Sequence, residues 1–252
     1  MAAQPITAHH YSLVRRLIAW TVHAYTAAGA LAAFAAALSI FDGRYRDAFL
    51  WMVVATLVDA TDGVLARVAD VKSAAPGLDG ARLDDIVDYL TFVFVPALLL
   101  YRAGDLPPQW GGFAVAAMLL SSAYGFAATD AKTEDHFFTG FPSYWNIVAL
   151  YLHAGGLPLA ANAAVLLALS ALVFLRTGYV YPTRTPVLRG LTIALCAVWS
   201  AMMVAAVLML PGVPGSLLIA SLAFPVYYTV LSFVLNARRR GCAPEPSRTE
   251  SR

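Results

Sequence analysis

Uncharged apolar stretches that are long enough to cross a lipid bilayer recur along nearly the whole of this 252-residue chain. Only 13% of its residues are charged, and 60% are hydrophobic. A soluble domain of this size carries about twice as much charge. Because a helix needs about 20 consecutive apolar residues to span the hydrocarbon core, the sequence predicts an all-α integral membrane protein without a soluble module.

Eight candidate spans predict a transmembrane helix bundle with a polar cavity that faces the cytoplasm. The spans cover residues 17–41, 48–67, 84–101, 111–129, 143–157, 159–175, 190–210 and 215–236. The first resembles a signal peptide, but its length favours a retained membrane helix. The fifth and sixth are separated only around Gly155, Gly156 and Pro158, so they form either a tight helical hairpin or one broken helix.

The distribution of basic residues predicts the orientation of the bundle. With the N-terminus inside, fourteen of the seventeen lysines and arginines fall in inside segments, which places both termini in the cytoplasm. We predict one membrane domain over residues 1–236 and a polar, disordered cytoplasmic tail over residues 237–252. The two cysteines, Cys196 and Cys242, have neither metal-ligand spacing nor the pattern of a disulfide framework.

A cluster of aspartates interrupts the apolar background. Seven of the fifteen acidic residues of the chain fall between positions 59 and 88. Asp59 and Asp62 are three residues apart, and Asp84 and Asp88 are four apart, so each pair shares one face of a helix. The inside loop between their spans begins and ends at the same membrane level, so we expect the four carboxylates to meet. Carboxylates in or beside hydrocarbon are costly and usually mark a functional site.

The cluster calls for a compensating positive charge, because carboxylates packed together repel one another. Oxygen ligands suit hard divalent cations, and we predict two ions, Mg²⁺ or Mn²⁺, at the four aspartates. Two such ions can orient a phosphoryl group and stabilise charge on its attacking and leaving oxygens. The competing interpretation, helix capping or ion pairing in the loop, is favoured for Asp70, Asp79 and Asp85 only.

Three residues beside the aspartates suit a bulky phosphorylated ligand. Gly63 and Gly80 have no side chain, which would leave room for such a ligand to approach the backbone. Arg67 is a candidate phosphate contact. His23, in the first span, is expected to hydrogen-bond between helices rather than to take part in chemistry.

The aspartate cluster resembles the signature of the CDP-alcohol phosphotransferases, membrane enzymes that transfer a phosphatidyl or related group from a CDP-linked donor to an alcohol. Its frame reads Asp59-x2-Asp62-Gly63-x2-Ala66-Arg67-x12-Gly80-x3-Asp84-x3-Asp88. The family frame usually has eight residues where this chain has twelve. The longer gap and the eight spans are similar to the bacterial phosphatidylcholine synthases. Four further segments resemble the same subfamily: WTVH (20–23), LDDIVDY (83–89), FPSYWNIV (141–148) and YPTRT (181–185).

The resemblance implies transfer of the phosphatidyl group of CDP-diacylglycerol to choline, which gives phosphatidylcholine and CMP in a bacterial inner membrane. The implied metal ligands are Asp59, Asp62, Asp84 and Asp88, of which Asp88 also acts as the general base. The implied nucleotide-binding residues are Asp59, Gly63, Ala66, Arg67 and Gly80. The implied partners are membrane lipids and the two substrates. No nucleic acid is expected, and a homodimer is an open possibility.

Aromatic residues near the cluster are candidates for holding choline, since a quaternary ammonium binds aromatic faces. They are Tyr89, Tyr144 and Trp145, and Asn146 would orient a substrate oxygen. The competing interpretation is that these rings form an interfacial belt or pack in the core and that Asn146 ties helices together. Arg184 and Arg189 either contact the lipid phosphates or serve topology and attraction to anionic lipids.

Three alternative functions remain open at this point. A different acceptor, such as serine, inositol or glycerol phosphate, would use the same site, although a phosphorylated acceptor calls for more basic residues than lie there. A cation-coupled transporter would place the aspartates at the bilayer midplane, and neither an inverted repeat nor a matched pair of broken helices is visible. A structural scaffold would tolerate replacement of Asp88 by asparagine.

Overall fold

The computed structural model describes residues 12–128, 137–175, 178–180 and 188–241. These residues form helices and one short antiparallel strand pair. The helices are α1 (Leu13–Phe41), α2 (Tyr45–Val68), α3 (Val71–Ala74), α4 (Gly80–Asp88), a π-helix (Tyr89–Phe94), α5 (Val95–Arg102), α6 (Gly111–Ala127), α7 (Trp145–Ala154), α8 (Leu159–Val173), α9 (Arg189–Met209), α10 (Gly215–Ser221) and α11 (Ala223–Gly241). The strands are β1 (Phe137–Thr139) and β2 (Gly178–Val180). The predicted helical fold class is confirmed, and the strand pair between two loops is an addition to it.

Helices occupy all eight predicted span positions, but in the described part of the chain only four are long and apolar enough to cross a membrane. They are Leu13–Phe41, Tyr45–Val68, Arg189–Met209 and Gly215–Ala237. The helix α7 has 10 residues, and at 1.5 Å per residue it is about half as long as the hydrocarbon core is thick. The chain is therefore a helical membrane protein with four candidate spanning helices, and the eight-span bundle stays a prediction.

The third predicted span is one helical segment from Gly80 to Arg102 with a π-helix in its middle. At the end of the π-helix the backbone N–H of Val95 donates to the carbonyl of Leu90, five residues back. Pro96 follows directly, and because proline has no N–H, the normal helical bond at this point is lost. We attribute the wider turn to this proline. The π-helix begins at Tyr89, directly after Asp88.

One end of the bundle, here called the Tyr45 end, joins the start of α2 to the end of α5. The Tyr45 hydroxyl donates to the Arg102 carbonyl at 3.1 Å. In the loop that follows, Asp105 Oδ2 lies 2.8 Å from His153 Nδ1 at the end of α7. The Asp105 carbonyl also accepts from Asn162 Nδ2 near the start of α8, at 2.9 Å. These contacts place three loops at one level.

The chain reverses direction between α7 and α8, which decides against the single broken helix that the sequence left open. The backbone N–H of Phe141, just before α7, donates to the carbonyl of Leu172 in the last turn of α8 at 3.2 Å. A single broken helix would hold these residues far apart. The reversal lies at Gly155 and Gly156, and Gly156 has a φ of +62°, which favours glycine.

The last helix extends beyond the predicted membrane domain. The helix α11 continues to Gly241, so the first residues of the predicted tail, which begins at position 237, are helical. Alanine and arginine are good helix formers, which allows the helix to continue past the apolar run. Residues 242–252 lie outside the described residues.

Candidate metal centre

Three of the four predicted metal ligands lie together between α2 and α4. Carboxylate oxygens of Asp59, Asp84 and Asp88 lie within 4.8 Å of one another, and all three residues are partly buried. At an effective dielectric constant of about 20, two ionised carboxylates at this distance repel by about 3 kcal/mol. A bound cation or proton would offset this repulsion. The donor set contains only carboxylate oxygens, which fits a hard divalent cation such as Mg²⁺ or Mn²⁺.

Equal chain lengths from the Tyr45 end bring these carboxylates to one depth. Asp59 lies fourteen positions after Tyr45 on α2, and Arg102 lies fourteen positions after Asp88 on the segment that contains α4 and α5. The hydrogen bond between Tyr45 and Arg102 holds the first residue of α2 level with the last residue of α5. At 1.5 Å per residue, Asp59 and Asp88 both lie about 20 Å from this end. The opposite end, here called the Gly80 end, is the nearer one.

Asp62 is not part of the three-carboxylate group. It lies on α2, three residues after Asp59, and its residue surface is 6% exposed. The spacing of three places it on the same side of α2 but nearer the Gly80 end. Its role as a metal ligand stays a prediction.

Asp79 caps a helix, as the sequence predicts for the acidic residues outside the group of four. Asp79 is the N-cap of α4, and its Oδ1 accepts from the backbone N–H groups of Ala81 and Arg82 at 3.1 and 3.3 Å. Asp70 precedes α3 in a left-handed conformation with a φ of 46°, and its Oδ1 accepts from Ser73 Oγ at 2.9 Å. Asp85 neighbours Asp84 on α4 but lies outside the three-carboxylate group.

The two glycines of the frame differ in their surroundings. A Cβ at Gly63 would find Arg67 Nη1 at 3.5 Å as its nearest neighbour, which is ordinary contact. A Cβ at Gly80 would lie 2.9 Å from Cε1 of His23. Space for an approaching ligand therefore exists beside Gly63, whereas the space beside Gly80 is filled by the His23 ring. Gly80 is required at least by the packing of α1 on α4.

Among the described residues, His23 does not make the hydrogen bond between helices that the sequence predicts. The residue is only 6% exposed, and among the described residues its Nε2 has no hydrogen-bond partner. The edge of its ring packs against Trp20, with ring centroids 5.9 Å apart. The sequence indicates a polar side chain in an apolar helix at this position, but whether a partner exists depends on tertiary packing.

The twelve residues between Arg67 and Gly80 fold down onto α1. They contain α3, whose Val71 and Ala74 are buried together with Ala75 and with Ala19 of α1. Ala66 of α2 and Ala69, the residue directly after α2, pack against the same cluster. The small side chain of Ala66 is therefore explained by this packing as well as by the predicted contact with a nucleotide.

Tyr89 and Tyr144, two of the aromatic candidates, retain partial exposure. Tyr89 directly follows Asp88, and its hydroxyl donates to the Leu119 carbonyl of α6 at 3.0 Å. Its ring packs edge-on against Phe126. Tyr144 is the N-cap residue of α7 and is 41% exposed. Both rings thus have a surface that is not covered by the protein.

Trp145 and Asn146, the other two candidates, serve packing in this structure. Trp145 is fully buried, and its Nε1 donates to Ser122 Oγ at 2.7 Å. Because a buried ring offers no face to choline, we leave Trp145 out of the choline site. Asn146 Nδ2 donates to Thr56 Oγ1 at 3.2 Å and so ties α7 to α2, one turn before Asp59. Asn146 therefore ties two helices, and its role in orienting a substrate oxygen stays a prediction.

Of the two arginines predicted to contact lipid phosphates, one lies within the described residues. Arg184 lies outside the described residues. Arg189 is the first residue of α9 and is exposed to the surroundings. Its role at a lipid phosphate stays a prediction.

Comparison with known proteins gives the family of the chain. No family model matches it. The chain is 40% identical to a phosphatidylcholine synthase of Pseudomonas aeruginosa over 186 residues, which are 74% of this chain and 78% of the relative. It is 34% identical to a phosphatidylcholine synthase of Rhizobium meliloti over 217 residues, 86% of this chain and 90% of the relative. A Legionella bozemanae phosphatidylcholine synthase is 46% identical over 148 residues, 58% of this chain and 68% of the relative. The chain belongs to the phosphatidylcholine synthase family.

Proposed function

We propose that the protein transfers the phosphatidyl group of CDP-diacylglycerol to choline, which gives phosphatidylcholine and CMP. The observation that carries the proposal is the group of three carboxylates within 4.8 Å on neighbouring helices of a membrane protein. Membership of the phosphatidylcholine synthase family supports choline as the acceptor. A cation-coupled transporter has no comparable support.

The carboxylates fit two divalent cations, Mn²⁺ or Mg²⁺. Asp59, Asp84 and Asp88 would hold them together with Asp62, which lies on the same side of α2. When bound, such ions neutralise the phosphate charges and stabilise the negative charge that develops on the attacking and leaving oxygens. Arg67, four residues after Gly63 on α2, supplies a fixed positive charge for a phosphate oxygen.

Asp88 is the proposed general base. The hydroxyl of choline is a weak acid, so it needs a base to become an adequate nucleophile. The carboxylate of Asp88 accepts the hydroxyl proton while the choline oxygen attacks the β-phosphorus, which bears diacylglycerol. A new P–O bond forms to choline, the bond to the bridging oxygen breaks, and the electron pair leaves with CMP.

The two ends of the site suit the two ends of the donor. A shallow apolar recess between α1, α2 and the π-helix is lined by Ala55 and Thr91, one helical turn from Asp59 and Asp88 towards the Tyr45 end. We place the diacylglycerol on this side, because its chains belong in hydrocarbon. The nucleotide then extends towards the Gly80 end, along Gly63 and Ala66. Direct contact of the nucleotide with Gly80 stays a prediction, because the His23 ring fills the space beside it. Arg184 and Arg189 would contact lipid phosphates at the bilayer surface.

The choline headgroup is assigned to the exposed aromatic faces of Tyr89, which directly follows Asp88, and of Tyr144. Tyr89 and Tyr144 keep partly exposed rings, and a cation over an aromatic face gains about 0.5–2 kcal/mol. The carboxylates add attraction for the positive charge. Asn146 contributes indirectly, because it holds α7 against α2 beside this place.

In the membrane we place the Gly80 end at the cytoplasm, where CMP is released and choline is supplied. The eight helical positions would then cross or enter the bacterial inner membrane with both termini cytoplasmic, as the basic residues predict. Residues 1–236 form the catalytic domain, and a homodimer is compatible with this arrangement. The polar cavity would open at the Gly80 end.

Replacement of Asp88 by asparagine tests the proposal. Asp88→Asn removes the base but keeps the shape of the side chain, and we expect the rate of CMP release from CDP-diacylglycerol and choline to fall at least a hundredfold. The matched control is Asp85→Asn, which removes a neighbouring charge on the same helix and should retain most of the rate. A folded Asp88→Asn protein with the rate of the control would contradict the proposal.

A further inference from the structure

A buried histidine nitrogen lies beside the candidate metal centre without a partner among the described residues. His23 on α1 is 6% exposed, and the unpaired atom is Nε2. Buried polar atoms in native proteins are nearly always hydrogen-bonded, so an unpaired one calls for a specific explanation. In the described part of the chain the other such atoms are Asn162 Oδ1 and Ser170 Oγ. Both lie on α8, which carries none of the clustered carboxylates.

The packing around His23 holds its ring at the start of α4. Cε1 and Nδ1 lie 2.9 and 3.4 Å from the place that a Cβ of Gly80 would occupy. Trp20 closes another side of the ring, with centroids 5.9 Å apart. Gly80 is four residues before Asp84, which is about 6 Å along the helix. The imidazole thus lies beside Gly80, about one helical turn before Asp84, on the side of the Gly80 end.

The polarity of the surroundings indicates which part of the donor passes this ring. On the other side of the carboxylates the recess at Ala55 and Thr91 is apolar. A diphosphate held at the carboxylates separates a lipid, which stays in hydrocarbon, from a nucleotide, which belongs in a polar environment. The nucleotide therefore extends away from the recess and towards the Gly80 end, where His23 lies.

We infer that His23 is a nucleotide-binding residue whose Nε2 hydrogen-bonds the cytidine monophosphate part of the donor and the CMP that is released. This inference rests on the proposed function and adds a contact outside the aspartate frame. It explains why a polar side chain is kept unpaired in an apolar helix, since its partner arrives with the substrate. The competing interpretation is that His23 only packs against Gly80.

Measurement of CMP binding to the purified full-length protein with Mn²⁺ present separates the two interpretations. His23→Leu keeps most of the side-chain volume and removes both nitrogens. We expect its affinity for CMP to fall about tenfold or more, which is the loss of one good hydrogen bond. Its thermal unfolding midpoint without CMP should stay the same or rise, because leucine needs no partner. Unchanged CMP affinity would overturn the inference.

Two further replacements at position 23 test whether the hydrogen bond, rather than packing, is what binds CMP. The amide nitrogen of His23→Gln can reach the place of Nε2, so this variant should bind CMP within about threefold of the unmodified protein. His23→Asn is too short to reach it and should lose affinity as the leucine variant does, which serves if His23→Leu does not fold. Equal binding by His23→Asn and the unmodified protein would also overturn the inference. Thr21→Val is the control on α1, since its hydroxyl bonds only the Leu17 carbonyl among the described residues.

The unmodified protein distinguishes failure of this inference from failure of the proposed function. If it binds no CMP in the presence of Mn²⁺ and releases none from CDP-diacylglycerol, the proposed function itself is wrong. If it binds CMP and makes phosphatidylcholine while His23→Leu binds CMP equally well, only the role of His23 is wrong.

Discussion

Gly63 and Gly80 hold similar places in the aspartate frame, but the structure gives them different surroundings. Beside Gly80 the His23 ring fills the space of a side chain, whereas beside Gly63 only Arg67 Nη1 comes as near as 3.5 Å. From the sequence both glycines indicate close approach of a ligand. For Gly80, the contact between α1 and α4 already explains why the residue is glycine. For Gly63, approach of a ligand is the only explanation that we have.

Gly63→Ala should give a protein that is less active but not less stable. Alanine is favoured over glycine within a helix by up to about 1 kcal/mol, and the new methyl group meets no close neighbour. If the nucleotide approaches this backbone, CMP affinity and the transfer rate should fall about tenfold, as measured by calorimetry and by CMP release. Gly77→Ala, with nothing within 4 Å, is the matched control. Full activity of Gly63→Ala would remove Gly63 from the nucleotide site.

Contact between α1 and α4 positions two of the three clustered carboxylates, those of Asp84 and Asp88. Gly29 of α1 lies so close to α4 that a Cβ there would be 2.5 Å from Val87 Cγ1. Val87 directly precedes Asp88. Small residues allow such close approach of membrane helices. The position of Asp88 therefore depends on a glycine that lies far from the aspartate frame in sequence.

Gly29→Ala should destabilise the protein by about 1–3 kcal/mol through overpacking. Because the clash is with Val87, the double variant Gly29→Ala/Val87→Ala should be more stable than the sum of the two single effects predicts. Thermal unfolding in detergent measures the comparison. Val93, also buried but not at this contact, supplies the control pair Gly29→Ala/Val93→Ala, whose effects should add. Additive effects in the first pair would show that Gly29 and Val87 do not touch.

The sequence predicted the elements that follow a simple period and missed those set by tertiary packing. Apolar runs located all eight helical positions, and three of the four carboxylates that were expected to meet, those of Asp59, Asp84 and Asp88, lie together. The folding of α3 onto α1 was not predicted, because a loop sequence does not reveal its packing partner. Trp145 was assigned to choline, since a buried and a ligand-facing tryptophan look alike in sequence.

The two ends of the bundle should face opposite sides of the membrane. In a protein without its native cysteines, we expect Arg46→Cys near the Tyr45 end to react with a membrane-impermeant maleimide in intact spheroplasts. Arg82→Cys, at a side chain that is 85% exposed near the Gly80 end, should react only after lysis. The reverse pattern would place the metal centre on the wrong side for choline from the cytoplasm.

Competition among acceptors tests whether the protein transfers the phosphatidyl group to choline. Purified protein is given CDP-diacylglycerol, Mn²⁺ and equal amounts of choline, serine, inositol and glycerol phosphate, and the lipid products are measured by mass spectrometry. We predict that phosphatidylcholine is the main product, with one CMP released for each molecule formed and none after chelation of the metal. Release of CMP with another lipid as the main product, or no phosphatidylcholine at all, would contradict the claim.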